Sequence, residues 1–172
     1  MQRRSDRRLI AFLVIAWTVI PGAAAQEPSE RDAPAPVELV ADRAEVDDAE
    51  GVSVYRGDVV LTRGDLEITG AVMRVFANAA GELDHVIVTG SPATYRETVE
   101  GDAPRRAEAP RMEYFVAGPE RLILREGGRL WQGGNTVSGR TVTHYPQEGR
   151  SVAEGGGGED DRVTASVNPA AE

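Results

Sequence analysis

Residues 55–68, YRGDVVLTRGDLEI, decide the fold of this chain. Val59 and Leu61 occupy alternate positions before the Gly64-Asp65 break, and Leu66 and Ile68 occupy alternate positions after it. A period of two is typical of a strand with one buried face, and a short glycine-containing break between two such runs is typical of a β-hairpin. The stretch therefore predicts two antiparallel strands joined by a tight turn.

The same pattern extends through most of the chain, and residues 128–137 repeat the hairpin pattern of residues 57–68. Short apolar runs lie between breaks of Gly, Pro, Asn and Asp, which is typical of an antiparallel sandwich or jelly roll that grows by stacking hairpins. Residues 71–80 fit a helix as well as a strand, and we predict a strand because the neighbours are strands. The predicted strands are 37–41, 52–55, 59–62, 66–69, 71–80, 86–89, 93–99, 112–116, 122–124, 130–132, 136–142 and 162–167.

The ends of the chain differ from this middle part. Four arginines within residues 1–8 precede an apolar run at 9–20, and Ala23-Ala24-Ala25 follows Pro21-Gly22. This order is typical of a secretory signal peptide, and we predict cleavage after Ala25. A run of 12 apolar residues is shorter than the roughly 20 that a membrane-spanning helix needs. The predicted segments are a signal peptide at 1–25, a mobile leader at 26–35, a β-domain at 36–154, a flexible Gly-rich acidic loop at 155–161, a terminal strand of the same domain at 162–169 and a tail at 170–172.

The composition excludes several classes of function. The 172 residues contain 19 arginines, 28 acids and no cysteine, and without residues 1–25 the charge is −12. An acidic surface argues against binding nucleic acid, and the absence of cysteine excludes disulfides, thiolate metal sites and a cysteine nucleophile. Aromatic residues make up 5% of the chain. The core is therefore either built from small branched residues or thin and partly open.

Candidate catalytic groups are few. His85 and His144 are separated in sequence and lie among strand residues, which favours surface or half-buried strand histidines over metal ligands. The acid pairs Asp47-Asp48 and 160–161 lie in predicted turns, where carboxylates are usually solvated rather than perturbed for acid catalysis. No phosphate-binding loop, dinucleotide fingerprint or nucleophile elbow is present. We therefore predict no enzyme, no catalytic residue, no metal site and no cofactor.

A binding protein remains, with an interior of Val, Leu, Ile and Ala. Such an interior suits acyl chains, since each buried methylene contributes about 0.8 kcal/mol. The acidic exterior would repel an anionic headgroup, so we expect the headgroup to stay outside in solvent.

Several motifs, in order along the chain, resemble a known family. They are VELVAD at 37–42, YRGDVVLTRG at 55–64, LEI at 66–68, GSPATY at 90–95, APRMEY at 109–114, NTVSGRTVTHY at 135–145, and Arg162-Val163 with Pro169. This series resembles the LptA (OstA-like) family of periplasmic lipopolysaccharide transport proteins. Glu126, Arg63 and Asp58 depart from the residues usual in the family and concern local turn geometry.

The resemblance implies an all-β fold, an open, twisted antiparallel β-jelly roll with unpaired edge strands at both ends. It implies a periplasmic bridge that carries lipopolysaccharide along an apolar groove. Such a bridge would stack end to end between an LptC-like inner-membrane partner and the amino-terminal domain of an LptD-like outer-membrane protein. The edge-strand interface would comprise Val37, Leu39, Ala41, Val163, Ala165 and Val167. The alternatives are a membrane-anchored LptC-like component and an exported carbohydrate-active β-sandwich.

The groove residues follow from strand alternation, with Val37, Leu39 and Tyr95 matching lipid-contacting positions of the family. The predicted groove comprises Val37, Leu39, Tyr55, Val59, Leu61, Leu66, Ile68, Val75, Val86, Val88, Tyr95, Met112, Tyr114, Leu122, Leu124, Leu130, Val137 and Val142.

Overall fold

A computed structural model describes residues 35–157 and 162–168. The segments predicted at 1–25, 26–34, 158–161 and 169–172 lie outside these residues. Within the described part of the chain, no helix is long and apolar enough to cross a membrane. The described residues form an antiparallel sheet of ten strands, which confirms the predicted all-β fold class.

The strands follow one another along the chain and pair mostly with their neighbours in sequence. The sheet order is β1-β3-β4-β5-β6-β7-β8-β10, with β2 also paired to β3 and β9 also paired to β8. The strands are β1 Val37–Val40, β2 Arg43–Asp47, β3 Val52–Arg63, β4 Leu66–Ala77, β5 Leu83–Glu97, β6 Arg105–Phe115, β7 Arg121–Gln132, β8 Asn135–Tyr145, β9 Arg150–Glu154 and β10 Thr164–Ser166, and a 3-10 turn spans Pro146–Glu148.

Several of the predicted breaks are bends inside long strands, and the sequence prediction of separate short strands was wrong there. The predicted strands 52–55 and 59–62 are one strand, β3, and the same merger gives β4, β5 and β7. The pairing register shifts in the middle of each pair from β3·β4 to β7·β8. An inserted residue of this kind bends a strand without ending its pairing. Glycine in the middle of a run therefore marked a bend and not a turn.

The bends fold the sheet into two layers. Residues 43–56, 72–89, 111–125 and 141–154 form the first layer; residues 37–40, 59–70, 93–109, 128–139 and 164–166 form the second. Tyr95 and Val86 would lie roughly 30 Å apart along a flat strand. Tyr114, which pairs with Val86, nevertheless has its ring 6.4 Å from that of Tyr95. The two layers therefore face each other.

Two strands were absent from the prediction. Every residue of β2 is exposed, and β9 has only Ala153 partly buried. Without an apolar face these strands carry no alternation signal, and they form because a long strand offers its backbone groups for pairing. The terminal strand is shorter than predicted and spans Thr164–Ser166, whereas the ambiguous segment 71–80 continues β4 as far as Ala77.

Three of the aromatic residues lie on the outer surface. The His85 ring stacks between Phe76 at 4.3 Å and Phe115 at 5.0 Å, and the Arg121 guanidinium lies 3.9 Å from the Phe115 ring centroid. The interior consequently contains small branched residues with two tyrosines. Of the two alternatives left open by the composition, the structure has the closely packed one.

Candidate binding interior and its polar mouth

The space between the layers is filled by apolar side chains. Seventeen hydrophobic residues there have relative exposures of 6% or less. Among the predicted groove residues, this buried cluster contains Val59, Leu61, Leu66, Ile68, Val86, Val88, Tyr95, Met112, Tyr114, Leu122, Leu124, Leu130 and Val142. Leu39, Tyr55, Val75 and Val137 are partly buried and pack against it. Val37 is 36% exposed and lies at the sheet edge.

Sequence reasoning missed four members of the buried cluster, Met73, Ala93, Ala107 and Ala109. Met73 and Val75 occupy the same face of β4, and Met73 is the more buried of the two. The alanines fit where bulkier residues of the facing layer already fill the space. The apolar members of an alternating strand would have included all four if small side chains had been counted.

The interior positions form two uninterrupted apolar rows, each crossing eight strands from one edge of the sheet to the other. In the second layer the directly paired residues are Leu39, Leu61, Ile68, Tyr95, Ala107, Leu130, Val137 and Ala165. In the first layer they are Ala44, Tyr55, Met73, Val88, Met112, Leu124, Val142 and Ala153. Apolar surface therefore extends across the full width of the domain.

The mouth is the side of the interior opposite the bends, where the strands end in turns. On the second layer, one step toward the mouth from the apolar row, the inward positions become polar. This polar rim comprises the directly paired residues Arg63, Leu66, Glu97, Arg105, Gln132 and Asn135, of which only Leu66 is apolar. An apolar interior thus ends in a charged border.

A first clasp of Arg63, Tyr114 and Glu120 joins the two layers across the mouth. Arg63 donates from Nη1 to the Tyr114 hydroxyl at 3.2 Å, and the same nitrogen lies 3.8 Å from Glu120 Oε1. The Tyr114 hydroxyl donates a short hydrogen bond to Glu120. Burial and Glu120 together raise the pKa of Tyr114, so it remains a neutral donor. A cavity of about 250 Å³ adjoins these side chains and is also lined by Leu66 and Glu97.

A second clasp of Tyr95, Glu97 and Arg105 lies beside the first. Glu97 Oε2 accepts hydrogen bonds from the Tyr95 hydroxyl and from Arg105 Nη1, both at 3.0 Å. Arg105 Nη2 lies 3.7 Å from Asp102. Arg105 is only 7% exposed, and its buried Nε has no hydrogen-bond partner among the described residues. Burial and Glu97 raise the pKa of Tyr95.

His144 lies in the first layer and is fully buried, contrary to the prediction of a surface or half-buried histidine. Its Nδ1 is 2.9 Å from the Ser151 hydroxyl, and its Nε2 has no partner within the described residues. Burial and the positive charge of Arg105 lower its pKa, so the ring is neutral at pH 7. His85 lies on the outer surface, 2.6 Å from Asp84. The described residues contain no cluster of three potential metal ligands.

The two edges of the sheet have similar construction, with one short strand in each layer. β1 and β2 both pair with β3 at one edge, and β9 and β10 both pair with β8 at the other. Leu39 and Ala165 lie inside these strands, whereas Ala41 follows β1 and Val163 and Val167 flank β10. β2 and β9 add edge backbone that the predicted interface lacked.

Comparison with known proteins identifies what this architecture resembles. Residues 38–150 match the family model described as LptA/(LptD N-terminal domain) LPS transport protein. The chain is 34% identical to the lipopolysaccharide export system protein LptH of Pseudomonas aeruginosa over 80% of its own length and 77% of that protein. It is 23% identical to the export protein LptA of Escherichia coli K12, covering 94% and 86% of the two chains.

Solved structures agree with the sequence comparison. The crystal structure of LptH, described as the LptA-homologous periplasmic component of the lipopolysaccharide transport device of Pseudomonas aeruginosa, superposes with a TM-score of 0.72 at 30% identity. The match covers 83% of this chain and all of that structure. The fold and the order of the motifs therefore lead to the same family.

Proposed function

The chain belongs to the family of LptA and LptD amino-terminal-domain lipopolysaccharide transport proteins, and on that premise we propose that it carries lipopolysaccharide through the periplasm. The acyl chains would lie between the two layers against the apolar rows. The domain would act as a conduit and not as an enzyme. Its partners would be an LptC-like inner-membrane protein, further copies of itself and the amino-terminal domain of an LptD-like outer-membrane protein.

The observation that carries this proposal is the continuity of the two apolar rows from edge to edge. A closed core needs apolar residues only at its centre, whereas Leu39, Ala165, Ala44 and Ala153 extend the rows to the outermost strands. An acyl chain of about twelve carbons would gain roughly 10 kcal/mol from complete burial. Part of that gain is offset because the interior side chains, which now contact one another, must separate.

The proposed binding is tested by placing a charge on the apolar row of β1. Leu39→Asp introduces a carboxylate at a partly buried position that packs against the core, and a charge that loses water without a partner is strongly unfavourable. We expect lipopolysaccharide binding to fall at least tenfold while the circular dichroism spectrum of the sheet is retained. Val40→Asp is the matched control, because Val40 is the next residue of the same strand and is 67% exposed. Equal binding by the two variants would refute the placement of lipid against this row.

The proposed end-to-end stacking uses strand addition at the sheet edges, where backbone donors and acceptors are available to another chain. Deleting residues 162–172 removes β10 from the second layer and should abolish concentration-dependent oligomers in multi-angle light scattering. Lipid binding should persist, since β3 to β8 remain. Deleting residues 169–172 alone is the control, because it leaves β10 in place. Oligomers of unchanged size after the longer deletion would contradict stacking through this edge.

A further inference from the structure

The lipid-free interior is closed, and the two clasps hold it closed at the mouth. Side chains of the apolar rows such as Leu61 and Leu124 have no exposure. Entry of an acyl chain therefore requires the layers to separate at the mouth. That movement pulls Arg63 away from Tyr114 and Glu120, because these partners belong to different layers.

The position of the polar rim determines where a headgroup must lie. Residues of the rim occupy the same strands and the same face as the apolar row, two residues closer to the mouth. Two residues of a strand correspond to about 6.6 Å. When acyl chains cover Leu61 and Ala107, the sugar to which they are attached lies next to Arg63 and Arg105.

Both arginines have donor capacity to spare. Within the described residues, Arg63 makes its contacts through Nη1 alone. Arg105 uses Nη1 and Nη2, while its buried Nε has no partner there. A guanidinium presents its N–H groups as a planar fork that matches two oxygens of a phosphate. A phosphate group can therefore use donors that the carboxylates leave free.

We propose that Arg63 and Arg105 bind the phosphate groups of an acylated glycolipid, and that Glu120 and Glu97 occupy the two arginines until the lipid arrives. This inference rests on the proposed function and names the chemical group that the site recognises. The carboxylates would act as competitors of the phosphate, because each shares one guanidinium with it. The carboxylate of Asp102 also lies near Arg105, so an exchange of partners is required there and simple addition of a phosphate is unfavourable.

The exchange predicts opposite effects for the two members of a clasp. Arg63→Gln should weaken binding of bis-phosphorylated lipid A about tenfold, the size expected for a charge-assisted pair. Glu120→Gln should strengthen it about threefold, because the competitor is gone. Neither variant should change the affinity for the same lipid A after enzymatic removal of its phosphates by more than about twofold. Arg74→Gln, on the exposed outer face of β4, is the control with the same loss of charge.

Binding would be measured with the mature full-length protein by titration with each lipid, together with circular dichroism of every variant. If Arg63→Gln and Glu120→Gln both strengthen binding of the two lipids equally, the clasp only holds the mouth closed and the inference is overturned. Arg105→Gln and Glu97→Gln repeat the comparison at the second clasp. Because Arg105 is buried and its variant is at risk of unfolding, the Glu120→Gln result decides the matter alone if necessary.

Two further arms separate this inference from others. Inorganic phosphate should neither bind the wild-type protein nor be affected by Arg63→Gln, since the mouth opens only for acyl chains; binding of free phosphate at this site would overturn the coupling to lipid. If wild-type protein binds phosphorylated and dephosphorylated lipid A equally, the proposed function stands and this inference fails. If it binds neither lipid, the proposed function itself fails.

Discussion

The bend of β7 provides the sharpest test of the two-layer fold. Gly128 lies where the register between β7 and β8 shifts, at the border of the two layers. A Cβ atom at this position would lie 2.3 Å from Leu124 Cβ and 3.1 Å from its Cδ1. Gly128→Ala would therefore introduce a methyl group into the inner side of the bend.

The magnitude follows from what can move. Carbon atoms in contact prefer separations of about 3.5–4.0 Å, so the new methyl group lies more than 1 Å too close to Leu124. The Leu124 Cβ is fixed to its own strand, and rotation of the side chain cannot relieve the overlap. Overpacking of this kind typically costs about 1–3 kcal/mol, and the reduced freedom of the unfolded chain offsets about 0.4–1 kcal/mol. We expect a net loss of about 2 kcal/mol.

Urea unfolding followed by circular dichroism measures this loss, with Arg129→Ala as the control on the exposed neighbouring position. The variant should show a lower midpoint with an unchanged slope, and a melting temperature lower by roughly 5–10 °C for a domain of this size. A variant as stable as the wild-type protein, or more stable, would refute the close approach at the bend. A loss equal to that of Arg129→Ala would do the same.

Two predictions concern pH. In the unfolded chain His144 takes up a proton near its ordinary pKa of 6.5, whereas burial holds its pKa lower in the folded protein; stability should therefore fall as the pH drops below 6.5 until the folded pKa is reached. His144→Phe should lose less stability than the wild-type protein between pH 7 and pH 5 in urea titrations, and an identical loss would contradict the assignment. Burial raises the pKa of Glu113, but hydrogen bonds from Arg125 and Arg111 outweigh burial and hold it below 4.5. Glu113→Gln should cost about 1–2 kcal/mol at pH 7, since its partners are partly exposed, and the difference should shrink as the pH falls below 4.5 toward the folded pKa; a constant difference would argue against the ion pairs.

Much of the fold could be predicted because alternation is a local signal. The stretch at 55–68 predicted the β3–β4 hairpin, and its interior residues Val59, Leu61, Leu66 and Ile68 are all buried. Bends could not be predicted, because Gly57 and Gly70 read as ordinary turn residues until the pairing across them is known. β2 and β9 could not be predicted either, since their existence depends on the partner strand and not on their own side chains.

The interior was more predictable than the mouth. Seventeen of the eighteen predicted groove residues lie in or against the buried cluster, because burial follows from strand parity. The clasps were missed because Arg63 and Glu120 are far apart in sequence and are brought together only by the folding of one layer over the other. Arg63 had been noted as a departure from the family pattern in a turn. The signal that was available is an inward parity at Arg63, Glu97 and Arg105, which breaks an otherwise apolar series.

The apolar rows also limit how copies of this domain can be joined. A strand added to β1 with correct parity places an inward residue opposite Leu39, whereas a slip of one residue turns every interior side chain of the added strand to the outside. In a stack that joins β10 of one copy to β1 of the next, Ala165 must therefore face the interior beside Leu39 for the second-layer row to continue. The same register carries the polar rim across the junction, so the acyl chains and the headgroup would move along parallel tracks. Ala165→Asp would interrupt the apolar row only at the junction, which separates transfer between copies from binding within one copy.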